Sequence, residues 1–314
     1  MTFLILTVEL NPIIHESYIV EDFQTGQNNK IIKQKIEIQS AGVHAAKTIK
    51  ILQGEPLIHG FLGELNGRYI KNELDRNKIR SNIVWIESHT QVNTTIIDPT
   101  NNQTTNLENR GIDIQPKDEV YLMKRIHQDM PYGRVMILGN GVPNGISQTF
   151  YHDLILEGKK KNIKTILASE GDSFLYGLKA LPYAIKLDQK QLIQLNIHSE
   201  KPLEEWLPRL QKWIGKGIHY IAIDLGKQGS YIVSKNKICY TRIPKLNIEY
   251  NALASHAFLG ALAVGMERKY EQEKIAKLAL ATSLSFMQQS FEQPMRKSDI
   301  DKNMKKVKNE EITL

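Results

Sequence analysis

The feature that most constrains the fold of this chain is a repeated alternation of short apolar segments with helical segments. The first apolar segment is Met1–Leu10, and Leu57–Phe61, Arg134–Leu138 and His219–Asp224 follow it, each after at least one helical pattern. Strands that alternate with helices in this way form a parallel sheet with helices on both faces. Ligands of such sheets bind at the carboxyl ends of the strands, so we expect the functional residues there.

The remaining segments extend this prediction. Further strands are predicted at Thr165–Leu167 and Ser230–Val233. In the segments between the strands, apolar residues recur at three- and four-residue intervals, which is the period of an amphipathic helix. The predicted helices are 42–52, 67–76, 149–160, 192–195, 202–214, 254–266 and 272–287.

Two segments interrupt the alternation and have the period of half-exposed strands. In residues 16–40 apolar and polar residues alternate from Ile32 to Ile38, and residues 90–108 repeat the pattern from Val92. Alternation at period two predicts strands with one buried face. We therefore predict a small antiparallel β-flap, or lid, that is inserted twice into the main α/β core. The core then consists of residues 1–15, 41–89 and 109–314.

The composition argues against several classes of function. The net charge is +7, but the lysines are scattered and not interleaved with aromatic residues, which favours a solvated surface over a nucleic-acid interface. No segment is long and apolar enough to cross a bilayer. The single cysteine, Cys239, cannot form an internal disulfide, so we expect a cytoplasmic location. The charged segment Lys302–Lys308 is expected to be a frayed C-terminus.

Five short motifs occur in a fixed order along the chain. They are Thr7–Ile14, Gly60–Gly63 with Asn66 and Gly67, Pro143–Ile146, Leu225 and Gly226 with Gly229, and Phe258 with Gly265. Together they resemble the PfkB family of carbohydrate kinases, and are most similar to 1-phosphofructokinases and tagatose-6-phosphate kinases, over residues 1 to 290. The resemblance implies a ribokinase-like, doubly wound and mostly parallel sheet flanked by helices, with a small β-flap lid.

The resemblance also implies a sugar-phosphate kinase that uses ATP and magnesium. Such an enzyme needs a carboxylate base for the sugar hydroxyl and backbone N–H groups for the transferring phosphate. The family supplies both in a Gly-Ala-Gly-Asp motif, where this chain has Leu253, Ala254, Ser255 and His256. His256 thus stands at the base position, and the three residues before it stand at the anion-hole position. Alternatively, Ser255 or Asn251 caps a helix and His256 belongs to its first turn.

The positions that hold the sugar in the family have changed as well. Of the family's Gly-Gly-Lys-Gly-x-Asn clamp this chain keeps Gly42, while alanine replaces the lysine and His44 replaces the asparagine. His15 stands where the family has an aspartate that binds sugar hydroxyls. Gln91 stands where the family has the arginine that holds the sugar phosphate, and Asn93 is kept beside it. The resemblance therefore implies substrate binding by these five residues.

The nucleotide positions are altered less. Lys186 matches the lysine of the family's Lys-Pro-Asn-x-x-Glu motif, and Asp188 stands at its asparagine. Asp224 stands where the family has a serine or threonine that faces the nucleotide, and Gly226 and Gly229 belong to the Leu-Gly-x-x-Gly hairpin. These five residues are expected to bind the nucleotide, and Asp188 is able to order a hydrated magnesium ion. The alternative is that they form an exposed polar start of a helix.

Three histidines fall at positions that face one pocket in the family. They are His15, His44 and His256. One hypothesis is a cluster that binds a transition metal or an anionic ligand, because imidazole suits both. The other is coincidence in a pocket that no longer carries catalysis.

Two functions remain open at this point. In the first, the protein is a ligand-binding or regulatory pseudokinase with lost or strongly reduced phosphotransferase activity, and it does not use ATP and magnesium for catalysis. In the second, it is an active ATP-dependent sugar-phosphate kinase with His256 as an atypical base. In both, the expected partners are a sugar phosphate or another small anion, a nucleotide, and a second copy of the chain bound through the β-flap. Nucleic acid and membranes are not expected partners.

Overall fold

The computed structural model describes residues 3–200, 203–242, 252–289 and 293–312. Apolar β-branched and leucine-rich segments form the strands of its centre, as their composition favours. The strands are β1 (Leu4–Glu9), β2 (Ile13–Ile19), β3 (Lys33–Gln39), β4 (Glu55–Gly63), β5 (Arg80–Ile86), β6 (Val92–Asp98), β7 (Gln103–Leu107), β8 (Gly133–Gly139), β9 (Lys164–Ala168), β10 (Ala184–Leu187), β11 (Tyr220–Asp224), β12 (Ser230–Val233), β13 (Ile238–Arg242) and β14 (Lys308–Ile312).

The helices connect these strands and bury their apolar faces against the sheet. No helix of the described residues is long and apolar enough to cross a membrane. The helices are α1 (Ala41–Ile51), α2 (Glu64–Arg76), α3 (Pro116–Asp129), α4 (Phe150–Lys160), α5 (Gly171–Lys179), α6 (Gln189–Gln194), α7 (Leu203–Gly215), α8 (Ala252–Glu267), α9 (Gln272–Met287) and α10 (Lys297–Lys306).

A large twisted sheet joins ten of the strands in the order β14-β13-β12-β11-β10-β9-β8-β1-β4-β5. The run from β11 to β5 is parallel throughout, and β12, β13 and β14 extend it as antiparallel strands. Two hydrophobic cores cover its faces: one contains residues of α1, α8, α9 and α10, and the other contains residues of α3 to α7. The expectation of a mostly parallel sheet flanked by helices is confirmed.

The close packing of α8 against α1 positions the functional end of the sheet. Gly260 of α8 lies against α1, where a Cβ atom would stand 2.5 Å from the carbonyl oxygen of Ala45. Only glycine permits this approach, because any side chain would force the two helices apart. As a result, the amino-terminal ends of α1 and α8 open side by side at the carboxyl edge of the sheet.

The flap is a separate sheet of four strands in the order β3-β2-β6-β7. Its β2–β3 and β6–β7 pairs are antiparallel as predicted, whereas its central pair, β2–β6, is parallel. The reason lies in the connections. β2 follows β1 and β6 follows β5, and both parent strands belong to the parallel sheet, so both continuations leave the same edge in the same direction. The flap strands span residues 13–39 and 92–107, against the predicted 16–40 and 90–108.

The alternating pattern predicted the bounds of several helices and strands to within a residue. β12 and α9 have the predicted bounds, and α1 and α4 differ by a single residue at one or both ends. The elements that the periodicity did not predict are β5, β10, β13, β14, α3, α5 and α10. Several of these are short or strongly charged, so their apolar period is carried by only two or three residues.

The prediction of a frayed C-terminus at Lys302–Lys308 is wrong. These residues belong to α10 and the start of β14, and β14 pairs with β13 along its full length. Ile300, Asn303 and Val307 are buried, while the lysines between them face solvent. These three buried residues therefore suffice to pack the segment against the protein, although its composition resembles that of a solvated tail.

Asn303 connects α10 to α9 and provides a test of this docking. Its Nδ2 donates to Ser285 Oγ and to Gln288 Oε1, both at 2.8 Å. We expect Asn303→Ala to lower the free energy of unfolding by ~1–3 kcal/mol in urea denaturation, because it removes two side-chain hydrogen bonds, to Ser285 and Gln288, that are worth ~0.5–1.5 kcal/mol each. Lys302→Ala, on the exposed side of the same helix, is the matched control and should change stability by less than ~0.5 kcal/mol. Equal effects of the two substitutions would contradict the assignment.

Candidate active site

A cleft of about 1080 Å³ opens at the carboxyl edge of the parallel strands, between the sheet, the flap and the start of α8. Residues that follow β1 and β8 line it together with the ends of β10 and β11, as expected for a parallel sheet. The flap side of the cleft consists of Asn11, Ile13, Glu37, Gln39, Gln91, Asn93 and Glu108. The hairpin side consists of Lys186, Asp188, Lys190, Asp224, Gly226 and Lys227.

The structure brings most of the sequence-predicted site residues into this cleft. Those that line it are Gln91, Asn93, Lys186, Asp188, Asp224, Gly226, Leu253, Ser255 and His256. Those that are not part of its surface are His15, Gly42, His44, Gly229 and Ala254. The second group lies behind the cleft surface or farther out on the flap, and each of its members has a packing or hydrogen-bonding role of its own.

Glu9, the last residue of β1, lies buried beneath the cleft lining and is bonded to Asn140, which is part of that lining. Its carboxylate accepts hydrogen bonds from Ser40 Oγ at 2.6 Å, the Gly42 amide at 2.8 Å and Asn140 Nδ2 at 2.7 Å. Burial raises the pKa of Glu9, and these hydrogen bonds oppose the rise. Gly42 is needed here because a Cβ atom would lie 2.8 Å from the Cβ of Glu9. Gly42 therefore donates its amide hydrogen bond to a carboxylate of the protein itself.

An amide network fixes the flap side. Gln91 Nε2 donates to the carbonyl oxygen of Asn109 at 3.0 Å and to Asn93 Oδ1 at 2.9 Å. A carbonyl oxygen only accepts, so this bond determines the orientation of the Gln91 amide. Gln91 Oε1 then accepts from Asn11 Nδ2 at 3.0 Å, and Asn11 Oδ1 remains buried without a partner among the described residues.

His256 and His44 form a partly buried pair at the start of α8. Their rings are stacked with centroids 6.0 Å apart, and Phe286 packs edge-on against His44. His44 Nε2 lies 2.7 Å from the carbonyl oxygen of Ile38, so this nitrogen carries the proton and donates it. Burial lowers the pKa of His44 to about 4. Burial lowers the pKa of His256 to about 3, with help from His44 and the Lys186 ammonium.

His15 lies on the inner face of the flap, apart from this pair. Thr95 Oγ1 donates its single proton to Asn106 Oδ1 at 2.8 Å, so His15 Nε2, 3.0 Å away, donates to Thr95. The three-histidine metal cluster considered from the sequence is therefore not formed, since His15 and His44 are engaged with separate partners. Among the described residues, no three His, Cys, Asp or Glu side chains are arranged to hold a metal ion.

The hairpin side carries the charged groups at the ends of β10 and β11. Lys186 Nζ lies 3.2 Å from Asp188 Oδ2, and Asp188 also caps α6 through Lys190 N at 2.9 Å. Burial alone would raise the pKa of Asp188, but the Lys186 ammonium and these hydrogen bonds bring it below the ordinary value. Asp188 therefore caps a helix, whereas Lys186 and Asp224 are buried strand residues and do not belong to an exposed polar helix start.

The turn after β11 orients the last strand residue. Asp224 Oδ1 accepts from the Gly226 amide at 3.0 Å, and Gly226 has a φ of 60°. Gly229 closes the turn with a φ of 106°, where a Cβ atom would lie 2.2 Å from the carbonyl oxygen of Thr241. Its role is conformational, because this backbone geometry suits glycine.

The comparison with protein families agrees with this geometry. The model of the pfkB family carbohydrate kinases matches residues 11–295, which is most of the chain. This protein is a member of the PfkB family. A tagatose-6-phosphate kinase of Staphylococcus epidermidis is 23% identical over 281 residues, which cover 88% of this chain and 90% of the relative. A 1-phosphofructokinase of Vibrio cholerae is 23% identical over 286 residues, which cover 90% and 89%.

Solved structures support the ribokinase-like fold of this PfkB-family protein. Phosphofructokinase-2 of Escherichia coli in complex with potassium superposes with a TM-score of 0.86 at 16% identity, covering 97% of this chain and 99% of that one. The complex of the same enzyme with substrates and products gives a TM-score of 0.85, covering 96% and 98%. At this identity the likeness shows the fold, and the chemistry has to be argued from the residues of the cleft.

Several residues of the PfkB-family cleft were not singled out from the sequence. They are Asn11, Glu37, Glu108 and Asn140, which line it, and Glu9, which lies beneath the lining and is bonded to Asn140. Glu9 carried a signal, because a carboxylate that ends an otherwise apolar strand must find hydrogen-bond partners when the strand is buried. Glu37 and Glu108 lie in polar flap segments, where the sequence does not distinguish a cleft-facing acid from a solvated one.

The partly buried histidine pair predicts a pH dependence of stability. The pKa values of His44 and His256 are about 4 and about 3 in the folded protein, against 6.5 for a free histidine. Below pH 6.5 the unfolded chain therefore binds more protons than the folded protein does. The stability that comes from burying the two neutral rings is lost as the pH falls from 6.5 towards 4 and 3. We expect a His44→Asn/His256→Asn double variant to lose less stability over this range in urea titrations.

His198, an exposed histidine after α6, provides the matched control. His198→Asn should leave the pH dependence of wild type unchanged, because the substitution leaves His44 and His256 in place. A double variant whose stability falls as steeply as that of wild type would show that the partly buried pair does not resist protonation.

Proposed function

We propose that this PfkB-family protein binds a nucleotide on the hairpin side of its cleft but has lost, or strongly reduced, phosphotransferase activity. It would then act as a ligand-binding or regulatory pseudokinase. The observation that carries the proposal is the first turn of α8, where Leu253 and a neutral His256 line the cleft. The buried, unpaired Cys239 supports a reducing, cytoplasmic location within the same proposal.

The sequence of the first turn of α8 supports this proposal, because residues 252–256 contain neither a carboxylate nor a glycine. A base with a pKa of about 3 and no negative charge offers little driving force for a sugar hydroxyl proton. The loss of a positioned base costs ~10²–10⁴ in rate, and the loss of an oxyanion-type donor costs ~10²–10³. These effects are not additive within one site, but together they leave little turnover. Leu253 is only 7% exposed and fills the space beside the helix N-terminus.

The hairpin side retains groups that suit a nucleotide. Lys186, Lys190 and Lys227 line it and are able to pair with phosphate oxygens. Asp188 is held ionised by Lys186 and is able to order a hydrated magnesium ion, which keeps most of its waters and needs one or two carboxylates. ATP and magnesium, which PfkB kinases use, are therefore compatible with the residues present.

We expect ATP with magnesium to raise the melting temperature while turnover stays below ~1 s⁻¹, the low end of typical enzymes. A ligand at 100 times its Kd stabilises the folded state by ~2.7 kcal/mol, which a thermal shift assay detects. Turnover is measured as ADP release with fructose 1-phosphate, fructose 6-phosphate and tagatose 6-phosphate as acceptors. Turnover above this limit would overturn the proposal and favour the active kinase.

Two sets of variants distinguish the pseudokinase from the active kinase. If His256 were a working base, His256→Ala would reduce turnover by ~10²–10⁴, whereas the proposal expects no change from the low level of wild type. Lys190→Ala/Lys227→Ala should weaken the ATP-induced shift. Lys159→Ala/Lys160→Ala, which removes two exposed lysines of α4, should leave it intact.

We further propose a homodimer that forms through the outer face of the flap. The strand pairing places Ile36 and Leu107 in one row across this face, and they are 42% and 54% exposed. Glu16 and Thr94 lie between them in this row, so the two apolar side chains belong to the edge strands β3 and β7. Exposed apolar residues on open edge strands favour pairing with another sheet.

The dimer is tested by the oligomeric state in solution. Light scattering after size-exclusion chromatography should give twice the chain mass of 35.9 kDa for wild type. Ile36→Lys/Leu107→Lys should give a monomer that keeps its circular dichroism spectrum. Removing the two lysine ammonium groups from water at an interface costs free energy. Val120→Lys/Tyr121→Lys, at another exposed apolar site on α3, is the control. A monomeric wild type would contradict the proposal.

A further inference from the structure

We propose that a second pocket, at the amino edge of the large sheet, binds a small phosphate monoester that carries an aromatic ring. The pocket has a volume of about 490 Å³, and none of its lining residues belongs to the lining of the candidate active site. We call it the amino-edge pocket and define it by Lys164, Tyr183, Tyr220, Lys269 and Tyr270, which are the lining residues that carry the argument. The inference therefore goes beyond the proposed function and depends on different residues.

The order of the strands explains why a pocket forms here. Lys164 begins β9, Tyr220 begins β11, and Tyr183 directly precedes β10. These three strands are parallel neighbours, so their first residues lie side by side at the edge opposite the candidate active site. The connection between α8 and α9 and the turn between β12 and β13 complete the walls. A volume of this size is typical of small-molecule sites, which span ~300–1,000 Å³.

Three cations gather on the β9 side of the amino-edge pocket. Burial lowers the pKa of Lys164, and the neighbouring charges of Lys269 and Arg134 lower it further, while Glu267 opposes the shift. Lys164 Nζ donates to the carbonyl oxygen of Met266 at 3.1 Å, and the guanidinium of Arg134 lies over an aromatic ring. Among the described residues, none of the three cations forms an ion pair with a carboxylate. An anion bound between Lys164 and Lys269 would relieve their repulsion.

The pocket lining also contains two acids, Glu271 and Glu273, but they lie apart from these cations. Glu273 pairs with Lys237, so its charge is compensated within the protein. Burial raises the pKa of Tyr220, and Glu271 raises it further, which places Glu271 near that phenol. Neither acid contributes to the pKa shift of Lys164. The position between the two lysines is therefore positive.

Hydrogen-bond donors surround this position. Lys164 keeps two of its three N–H groups after the bond to Met266, and the exposed Lys269 adds three more. The hydrogen bond from Arg268 lowers the pKa of Tyr270, whose own O–H group remains a donor. A phosphate monoester only accepts at these oxygens and carries ~−1.5 to −2 charges at pH 7. Lysines bind such a compact anion as point charges, so the donors and the charge both suit a phosphate.

Aromatic rings form the wall beside these donors. The ring of Tyr183 stacks on His219 with centroids 4.4 Å apart, and Lys164 Nζ lies 4.9 Å from the centroid of Tyr183. The half-buried ring of Tyr220 is tilted by 58° against that of Tyr183, with centroids 5.9 Å apart. Two rings at an angle suit a flat ligand ring, because aromatic pairs prefer offset or edge-to-face contacts at ~4.5–7 Å. The pocket therefore suits a phosphate attached to an aromatic ring better than a phosphate alone.

The first test locates the ligand through the protection of lysines from acetylation. Phenyl phosphate is the probe, and peptide mass spectrometry after brief treatment with acetic anhydride measures the reaction of each lysine. At ten times its Kd, the probe should slow the acetylation of Lys164 about tenfold, because only unoccupied protein reacts. Lys159, an exposed lysine of α4, is the control and should react as before. Full reactivity of Lys164 at ~10 mM probe, which is ten times a Kd of ~1 mM, overturns the proposal.

The two halves of the probe test the ligand class. Phenol should leave Lys164 unprotected, because it brings no negative charge to the lysines. Inorganic phosphate should bind ~2–10-fold more weakly than phenyl phosphate, since it makes no contact with the tyrosine rings, and Tyr220→Leu should remove this difference. Equal affinity of wild type for inorganic phosphate and phenyl phosphate would show a site for an inorganic ion only. That result would overturn the proposal, as would protection by phenol.

Variants test the two lysines of the amino-edge pocket. Lys164→Met/Lys269→Met should weaken the binding of phenyl phosphate ~10-fold in isothermal titration calorimetry, because two charge contacts are lost. Lys159→Met/Lys160→Met, which removes two exposed lysines of α4, is the matched control and should leave the affinity unchanged. Lys269→Glu changes the charge at an exposed position, so it tests the site if the double variant does not fold, and it should weaken binding at least ~3-fold. Unchanged affinity in Lys269→Glu overturns the proposal.

The outcomes for this inference and for the pseudokinase are separate. Lys190→Ala/Lys227→Ala, which tests the nucleotide side of the cleft, should leave the protection of Lys164 by phenyl phosphate intact. Loss of that protection would place the probe in the cleft and would overturn the present inference alone. Turnover above the limit given for ATP would overturn the pseudokinase and leave this inference unaffected.

Discussion

The buried carboxylate of Glu9 is the interaction on which the arrangement of the cleft depends. A carboxyl group removed from water is tolerated only when hydrogen bonds replace its hydration, and this one is bonded from the start of α1 and from the segment after β8. It therefore joins the centre of the sheet to the helix start and to Asn140, whose φ of 61° turns the chain towards it. The carboxyl group beneath the cleft thus has its hydrogen bonds within the protein itself.

The polar side chains of the flap likewise form most of their hydrogen bonds within the protein. Its inner face is polar, but Gln91, Asn93, Thr95 and His15 mostly satisfy one another or nearby backbone. The parallel β2–β6 pair ties the two insertions together, because both leave the same edge of the main sheet. A lid of this construction has its polar groups ordered in advance, which reduces the entropy that a ligand must overcome on binding.

The sequence determined the architecture more completely than the site. Long apolar strands and α9 were predictable because their period is carried by many residues, whereas α10 depends on Ile300, Asn303 and Val307 and resembles a tail. The cleft position followed from the parallel sheet, and the resemblance selected Lys186, Asp188 and His256, which line it. The partners of Glu9 and the separation of His15 from His44 were not predictable, because they depend on the direction of side chains across distant segments. Likewise, the parallel pairing within the flap depends on which edge of the sheet the chain leaves.

The position of β1 in the sheet has a consequence for how the protein is made. β1 lies between β4 and β8, and β8 ends at Gly139, so the strand synthesised early acquires its second neighbour only after a long stretch of chain has emerged. At a synthesis rate of ~5–20 residues per second, that edge of an apolar strand stays open for roughly 6 to 26 seconds. Pairings so distant in sequence are slow to form and prone to aggregation while they wait. The demand on chaperones during synthesis is therefore set by the order of strands, and it is the same whether or not the finished cleft performs chemistry.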